Sequence, residues 1–142
     1  MASIIYNSCL RDEAIGNIDF DTDTFRMMLV TSTYVENADT HNRRDDITNE
    51  VTGTGYTAGG AVCTVTVSAV DTGNDRVTIT LGETTWDPST ITAAGAVVYK
   101  DRGGAASADE LVAYIDFGGD FSSTNGPFTV QDSTIQKNNQ NA

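Results

Sequence analysis

Hydrophobic and polar residues alternate most regularly in residues 61–68. The apolar residues Cys63, Val65 and Val67 occupy one set of alternate positions. The hydroxyl residues Thr64, Thr66 and Ser68 occupy the other set. Alternation with a period of two, rich in valine and threonine, predicts a half-buried β-strand. A glycine-rich turn precedes this strand, and the same kind of pattern returns along the rest of the chain.

The strongest predicted pairing is a β-hairpin. Its strands are residues 61–70 and 76–81, and the polar, glycine-containing segment 71–75 connects them. Further apolar runs predict four more strands, at residues 26–34, 94–100, 110–117 and 128–131. The first of these four is apolar enough to be buried on both faces.

Three segments are predicted to interrupt the strands. Residues 86–89 are expected to form a turn, since Pro88 cannot donate a ladder hydrogen bond within a central strand. Residues 101–109 are predicted to form a long hairpin loop, and the glycine- and serine-rich segment 118–127 is predicted to form another loop.

One helix is predicted, near the N-terminus. In residues 4–15, Tyr6, Leu10 and Ala14 recur four apart, and Gly16 follows as a stop. Ser3 or Asn7 is the expected N-cap. Short strands joined by glycine-rich turns, with one helix, predict a mainly β protein: an antiparallel β sandwich or a barrel-like fold.

The chain is expected to form a single β-rich domain over residues 1–142, because no composition boundary divides it. Two segments are more polar than the rest. Residues 35–50 are predicted to form a long loop, and residues 132–142 a flexible polar tail.

The charge balance limits the partners. Eight basic and twenty acidic residues give a net charge of −12, which disfavours contact with nucleic acid or an anionic membrane. The N-terminus lacks a basic region and a long apolar core, and no apolar run would span a membrane. We expect a soluble product that stays where it is made.

Two cysteines are present, Cys9 in the predicted helix and Cys63 facing inward from a strand. Two buried, reduced thiols are the favoured interpretation, and a disulfide between them stays open.

Two segments superficially match ligand-binding motifs. Asp19, Asp21 and Asp23 open like a calcium-binding loop, but its sixth and twelfth positions hold Thr24 and Val30 instead of glycine and glutamate. We therefore interpret the aspartates as a solvated strand edge. The second segment contains four glycines, Gly53, Gly55, Gly59 and Gly60, but a strand rather than a helix follows it. These glycines indicate tight turns rather than a phosphate site.

Catalytic chemistry finds little support in the residues. His41 is the sole histidine, and it lies near aspartates, but no serine or cysteine has the setting of an activated nucleophile. Arg43 and Arg44 are followed directly by Asp45 and Asp46, which predicts local charge neutralisation. Trp86 and the other aromatic residues are spread as core packing requires. We predict no enzymatic activity, no catalytic or metal-binding residues and no cofactor.

Four segments carry a resemblance to a known group of proteins. They are residues 21–34, residues 39–60 with the glycine-rich turn, residues 86–100 and residues 111–120. Together they resemble the small virion structural proteins of tailed bacteriophages and prophages, which are usually encoded among the head genes. The resemblance covers residues 17–131, and the Asn/Gln-rich end departs from it.

The resemblance implies a virion component made in the host cytoplasm. Among such roles we favour a capsid decoration, or cement, protein on the outer surface of the shell. Its expected partners are the major capsid protein and copies of itself, as a dimer or trimer. The expected contact segments are the N-terminal arm with its helix (about residues 4–15), residues 35–50 and the tail (residues 132–142).

Two alternatives stay open. A tail-tube or head–tail connector protein would build rings through a long hairpin, for which residues 94–117 are the candidate. A glycan- or receptor-binding module on the virion surface would use residues 35–50 and exposed aromatic side chains.

Overall fold

The computed structural model describes residues 3–139, which form two antiparallel β-sheets and one α-helix. The large sheet has the strand order β1-β7-β6-β2-β3, and the small sheet has the order β4-β5-β8. The strands are β1 (Ile4–Ile5), β2 (Phe25–Val30), β3 (Ala61–Cys63), β4 (Val65–Val67), β5 (Arg76–Leu81), β6 (Thr84–Lys100), β7 (Leu111–Val130) and β8 (Ser133–Asn138). The helix, α1, is Asn7–Ala14. The prediction of a mainly β, sandwich-like fold with one N-terminal helix is confirmed.

The large sheet is built around the β6–β7 hairpin. Its two strands pair from Tyr99 opposite Leu111 to Thr84 opposite Val130. The predicted hairpin loop at residues 101–109 connects them and contains a short 3-10 turn. On its other side β6 pairs with β2, from Phe25 opposite Lys100 to Val30 opposite Gly95. Five of the six β2 residues are buried, as its apolar sequence predicts.

The small sheet contains the predicted hairpin and one unexpected strand. In the hairpin, Val65 lies opposite Leu81 and Val67 opposite Ile79. The predicted strand over residues 61–70 divides at Thr64: β3 pairs in the large sheet and β4 in the small one. The third strand, β8, lies within the segment expected to be a flexible tail, so that expectation is wrong for residues 133–138. Ile135 is buried opposite Ile79, which gives β8 an apolar anchor. Residues 140–142 lie outside the described residues.

Hydrophobic side chains are buried on both faces of the large sheet. One cluster lies between the two sheets and includes Phe25, Leu29, Ile79, Leu81 and Val98. The second lies on the opposite face and is rich in tyrosine: Tyr6, Tyr34, Tyr99 and Tyr114 with Met28, Val30, Val97 and Leu111. Ile47, from the polar segment 35–50, packs against this second cluster and helps to cover it.

The helix begins later than predicted. Ile4 and Ile5 pair with Tyr114 and Ala113 as β1, so α1 starts at Asn7, and neither Ser3 nor Asn7 caps it. At Ile4 and Ile5, backbone pairing with the buried part of β7 favours an extended conformation over the helix that the four-residue spacing predicts. The helix ends where expected, since Gly16 adopts a left-handed conformation with φ of +84°.

Residues 86–89 lie inside β6 and do not form the predicted turn. Pro88, which follows a cis peptide bond, falls where the β6–β7 register shifts between Trp86 and Ser89. A proline is tolerated there because the shift removes the need for a ladder hydrogen bond from its nitrogen. Within residues 84–94 of β6, the only bridge in the described chain on the side away from β7 joins Thr54 to Thr90.

Residues 118–127 are also strand rather than loop, and the predicted short strand 128–131 is the end of β7. Residues 118–127 are mostly exposed on both faces, so their sequence lacks the apolar alternation that marks a strand. Hydroxyl pairs join this part of β7 to β6 instead: Thr85 with Thr129, Ser89 with Ser123, and Thr92 with Ser122, at 2.7–2.9 Å. The fold therefore carries a long polar ribbon with one large irregularity.

Candidate functional site

The irregularity in β7 is a wide bulge at residues 117–120. Ala93 pairs with Phe121 and Gly95 pairs with Asp116, so four residues of β7 lie opposite a single residue of β6. Gly118 adopts a φ of +79°, and its N–H donates to a carboxylate oxygen of Asp116 at 2.9 Å. A bulge of this kind bends a strand and redirects the side chains beside it.

Beside the bulge lies an open groove of about 430 Å³, which we call the apolar groove. Its apolar walls are Ile115, Phe117, Phe121, Pro127, Phe128 and Val130, and residues 131–133 also line it. Phe121 is 56% exposed, an unusual position for a phenylalanine. The groove is thus a concave, mostly apolar surface of the kind that accepts a side chain from a partner.

An aromatic series connects the groove to the interior. Ring centroids lie 6.4 Å apart for Phe121–Phe117, 6.1 Å for Phe117–Phe128, 6.5 Å for Phe128–Trp86 and 5.9 Å for Trp86–Tyr56. These spacings fall within the range of favourable ring contacts. Trp86 and Phe128 are buried, so the floor of the groove is fixed by the core while Phe121 stays accessible.

The inner end of the series is held by a carboxylate. The Tyr56 hydroxyl donates to Glu50 at 2.6 Å, and the same Glu50 oxygen accepts the Gly59 N–H at 2.7 Å. Burial, followed by the hydrogen bond to Glu50, raises the pKa of Tyr56 above its usual range. Tyr56 is therefore a neutral structural donor rather than a proton-transfer group at physiological pH.

The charge at the groove is negative. Asp132 is its one charged lining residue, and Asp120 lies in the adjoining bulge. Asp132 also accepts the Glu83 N–H at 2.6 Å, which fixes the end of β7 beside the start of β6. A complementary partner would present an apolar side chain with basic groups around it.

His41 lies in a loop, as predicted, and has a structural contact. Its Nδ1 is 2.9 Å from the Tyr34 hydroxyl, which lies 2.8 Å from the hydroxyl of buried Tyr6. The chain of contacts ties residues 35–50 to the tyrosine-rich cluster. Burial raises the pKa of both tyrosines, so neither hydroxyl is an acid or base for chemistry near neutral pH.

The three aspartates near the start of β2 form a hydrogen-bonded turn, not the predicted strand edge. Asp19 accepts the Asp21 N–H at 2.9 Å, Asp23 accepts the Asp19 N–H at 2.8 Å, and Asp23 pairs with Lys100 at 2.8 Å. The Asp21 N–H holds the pKa of Asp19 below its usual value. Within residues 3–139, no group of three or more His, Cys, Asp or Glu side chains is placed to hold a metal ion.

The glycine-rich segment has the role predicted for it, which is to make tight turns. Gly55, Gly59 and Gly60 all have positive φ, between +79° and +92°. A Cβ on Gly60 would overlap the Met27 backbone carbonyl, and one on Gly55 would overlap that of Pro88. Backbone packing against β2 and β6 therefore accounts for these glycines.

The two cysteines are free and buried, so the disulfide left open by the sequence does not form. Burial raises the pKa of Cys9 to about 12 and also raises that of Cys63. Both side chains pack in the cluster between the sheets and behave as small apolar residues.

The arginines of residues 35–50 pair with distant acids rather than with their neighbours, contrary to the prediction of local neutralisation. Arg44 binds buried Asp109 at 2.7 Å and Arg43 binds buried Asp12 at 3.3 Å. Arg44 also lies over the Tyr99 ring, 5.1 Å from its centroid. The polar segment is thus fastened to the body of the protein.

Sequence reasoning missed the apolar groove. It placed Phe117 at a strand end and residues 118–127 in a loop, whereas the structure brings Phe117, Phe121 and Phe128 together. The one available signal was the Phe117-Gly-Gly-Asp-Phe121 sequence, in which two aromatic residues flank a glycine pair that permits a bulge.

Comparison with known proteins gives no further assignment. No protein-family model, no curated protein and no solved structure matches the chain. In the described part of the chain, no helix has the length and apolar character needed to cross a membrane.

Proposed function

We propose that this chain is a non-enzymatic structural protein of a tailed-phage virion, and specifically a capsid decoration protein. In this role it binds the outer surface of the major capsid shell and contacts copies of itself. The resemblance of residues 17–131 to small phage structural proteins supports the virion assignment. The structure contributes a surface suited to the binding.

The observation that carries the proposal is the apolar groove with its exposed Phe121. Burying a phenylalanine side chain contributes roughly 1.5–3 kcal/mol, so one such contact gives weak binding. A shell offers many identical sites, and a second contact made by an oligomer raises the overall affinity without requiring a strong single site. A shallow groove is therefore sufficient for decoration.

The charge favours the outside of the shell. A chain of net charge −12 is repelled by packaged DNA, and a protein on the outer surface need not approach it. The rigid placement of the groove supports the same role. Because Trp86 and Phe128 are buried beneath it, little ordering is required on binding.

The test is a binding measurement on particles that lack this protein, prepared after deletion of its gene. The purified chain is added, particles are sedimented, and bound copies are counted per major capsid subunit. We expect saturable binding at a fixed ratio. Phe121→Ser should weaken it at least about tenfold, which corresponds to roughly 1.4 kcal/mol of lost apolar contact.

Val35→Ser is the matched control, because Val35 is 68% exposed and lies away from the groove. It should bind as the wild type does. Absence of binding by the wild-type chain would reject shell decoration. If both variants lost binding equally, or neither lost it, the groove would be rejected as the contact surface. Shell decoration would then require another surface of the protein.

A glycan-binding module is the second candidate, and the groove is also the observation in its favour. An exposed aromatic ring beside Ser122, Thr129 and Asp132 could stack on a sugar and bond its hydroxyls. Retention on host surface glycans, lost in Phe121→Ser, with no binding to particles lacking the protein, would favour this role over decoration.

The tail-tube alternative is less well supported. From Ala93 to Tyr99, β6 is buried inside the large sheet, so this part of the hairpin does not extend as an arm for ring building. Self-assembly of the purified chain into tubes would nevertheless reverse this preference.

A further inference from the structure

Residues 61–70 run along the same side of both sheets and form what we call the open edge. β3 is the last strand of the large sheet, and β4 is the last strand of the small sheet. The chain passes from one to the other at Thr64, whose carbonyl accepts the Gly82 N–H at 2.8 Å. A single segment therefore ends two sheets.

The backbone of β4 has unused hydrogen-bonding groups. Thr64 accepts from Gly82, and Ser68 donates to Thr78, so alternate residues of this segment face β5. By the period of two, the N–H and C=O groups of Val65 and Val67 point away from β5. No other strand within residues 3–139 pairs with them.

Three valines of the open edge are exposed. Val62, Val67 and Val70 are 59%, 39% and 69% exposed. No charged residue occurs from Val51 to Val70, although the whole chain has a net charge of −12. Proteins normally protect an edge strand with charges, prolines or bulges, and this edge has no charge and no proline.

We propose that the open edge pairs with the open edge of a second copy of this chain, joining the two small sheets into one. In an antiparallel pairing about a two-fold axis, Val65 lies opposite Val67 of the second copy. The two Thr66 residues then face each other across the axis. The outward N–H and C=O groups of both valines are satisfied in each copy.

The charge distribution argues for a second copy as the occupant. Two molecules with a charge of −12 repel each other, and the repulsion is smallest where both present an uncharged segment. An antiparallel edge is also self-complementary, so the same residues serve both sides of a two-fold interface. A strongly charged partner strand would find no complementary charge on this edge.

The inference deepens the self-association part of the proposed function, but its test uses the isolated full-length chain. Failure of dimerisation would therefore leave the shell-binding measurement standing, and failure of shell binding would leave the dimer standing.

The experiment is sedimentation equilibrium of the purified chain over a range of concentrations. We expect a monomer–dimer equilibrium. Val67→Lys should raise the dimer dissociation constant at least about tenfold, because the two-fold axis brings each new charge into the interface twice. Val35→Lys adds the same charge at an exposed valine elsewhere and should change the constant no more than about twofold.

A second pair of variants tests the proposal even if Val67→Lys fails to fold. Thr66→Cys places one exposed thiol on the proposed axis, whereas Thr124→Cys places one at an exposed site on β7 outside the groove. Under mild oxidation Thr66→Cys should form a covalent dimer, and Thr124→Cys should stay monomeric. A monomeric wild-type chain at every concentration, or equal cross-linking of both variants, would overturn the proposal.

Discussion

The polar segments and the apolar groove differ in how they use their side chains. We call residues 35–50 and 101–110 the polar end, because they carry many of the charged side chains. Three of their arginines form ion pairs within the protein: Arg44 with Asp109, Arg102 with Glu110, and Arg43 with Asp12. The groove is lined mainly by apolar side chains and leaves Phe121 exposed. The polar loop at residues 35–50 is therefore part of the structural framework. The candidate binding surface lies instead on residues 118–127, whose sequence resembles a loop.

The difference changes where partner contacts are expected. The sequence pointed to the N-terminal arm, residues 35–50 and the tail, since these are the polar segments. In the structure Ile4 and Ile5 pair in the large sheet, residues 133–138 pair in the small sheet, and Arg44 fastens the loop. The exposed apolar residues of the groove and the open edge are better candidates, because they have no comparable internal contacts.

The largest predicted effect concerns the polar end. Asp109 is fully buried and accepts from the Arg44 side chain at 2.7 Å and the Arg102 N–H at 2.9 Å. Asp109→Ala leaves a largely buried arginine without its partner, so we expect a loss of about 3 kcal/mol in the free energy of unfolding. Urea denaturation measures this, with Asp45→Ala, an exposed acid in the same segment, as the control. A loss below about 1 kcal/mol would contradict the framework role.

The tyrosine-rich cluster gives the next effect. Tyr34→Phe removes the hydroxyl between Tyr6 and His41, and should cost about 1–2 kcal/mol in the free energy of unfolding. Tyr114→Phe is the matched control. Its buried hydroxyl has no hydrogen-bond partner among the described residues, so its removal should be neutral or stabilising. Equal costs in both variants would show that packing, rather than the hydrogen bonds, matters at Tyr34.

A smaller change in stability is expected when the pH is lowered. Burial alone would raise the pKa of Glu110, but the hydrogen bond and charge of Arg102 hold it below its usual value. Because the folded pKa is lowered, the pair's stabilisation is present above the unfolded pKa, about 4.3, and is lost as pH falls through the folded pKa. We expect about 1 kcal/mol at neutral pH, since solvent screens the half-exposed Arg102.

The measurement is the free energy of unfolding from pH 7 to pH 3 for the wild type, Glu110→Gln and the exposed control Glu83→Gln. The difference between the wild type and Glu110→Gln should shrink toward zero at the acid end. A difference that stays constant with pH would exclude the ion pair as its source.

The smallest effect on stability is expected at the groove. Phe121→Ser should change the free energy of unfolding by no more than about 0.5 kcal/mol, because the side chain is already exposed. Thermal unfolding followed by circular dichroism measures this. Destabilisation by several kcal/mol would mean that Phe121 belongs to the core, and the contrast between the two regions would fail.

The sequence predicted the parts of the fold where one physical pattern dominates. The β4–β5 hairpin has alternating valine and threonine, and β2 is apolar apart from Arg26, so burial alone identifies both. The distal half of β7 has no such pattern, because hydroxyl pairs such as Thr92–Ser122 replace apolar contacts there. A residue-by-residue reading assigns such a segment to a loop.

The groove and the open edge could not be predicted from the sequence, because both depend on how the strands pair. Phe117, Phe121 and Phe128 converge only because a four-residue bulge changes the register of β7, and register is not visible in one strand's sequence. The valines of residues 61–70 predict a strand, but whether that strand lies at an edge depends on the whole sheet order. His41 was predicted to be a loop residue and lies in a loop. Two buried, reduced thiols were favoured for Cys9 and Cys63, and both are free and buried.

The most direct test of the central claim is a cryo-EM reconstruction of the virion at a resolution that shows strands. The account predicts a two-sheet density on the outer surface of the shell, with the β7 bulge and Phe121 directed at the major capsid protein. Density of this shape in the neck or tail, or its absence from the particle, would contradict the account.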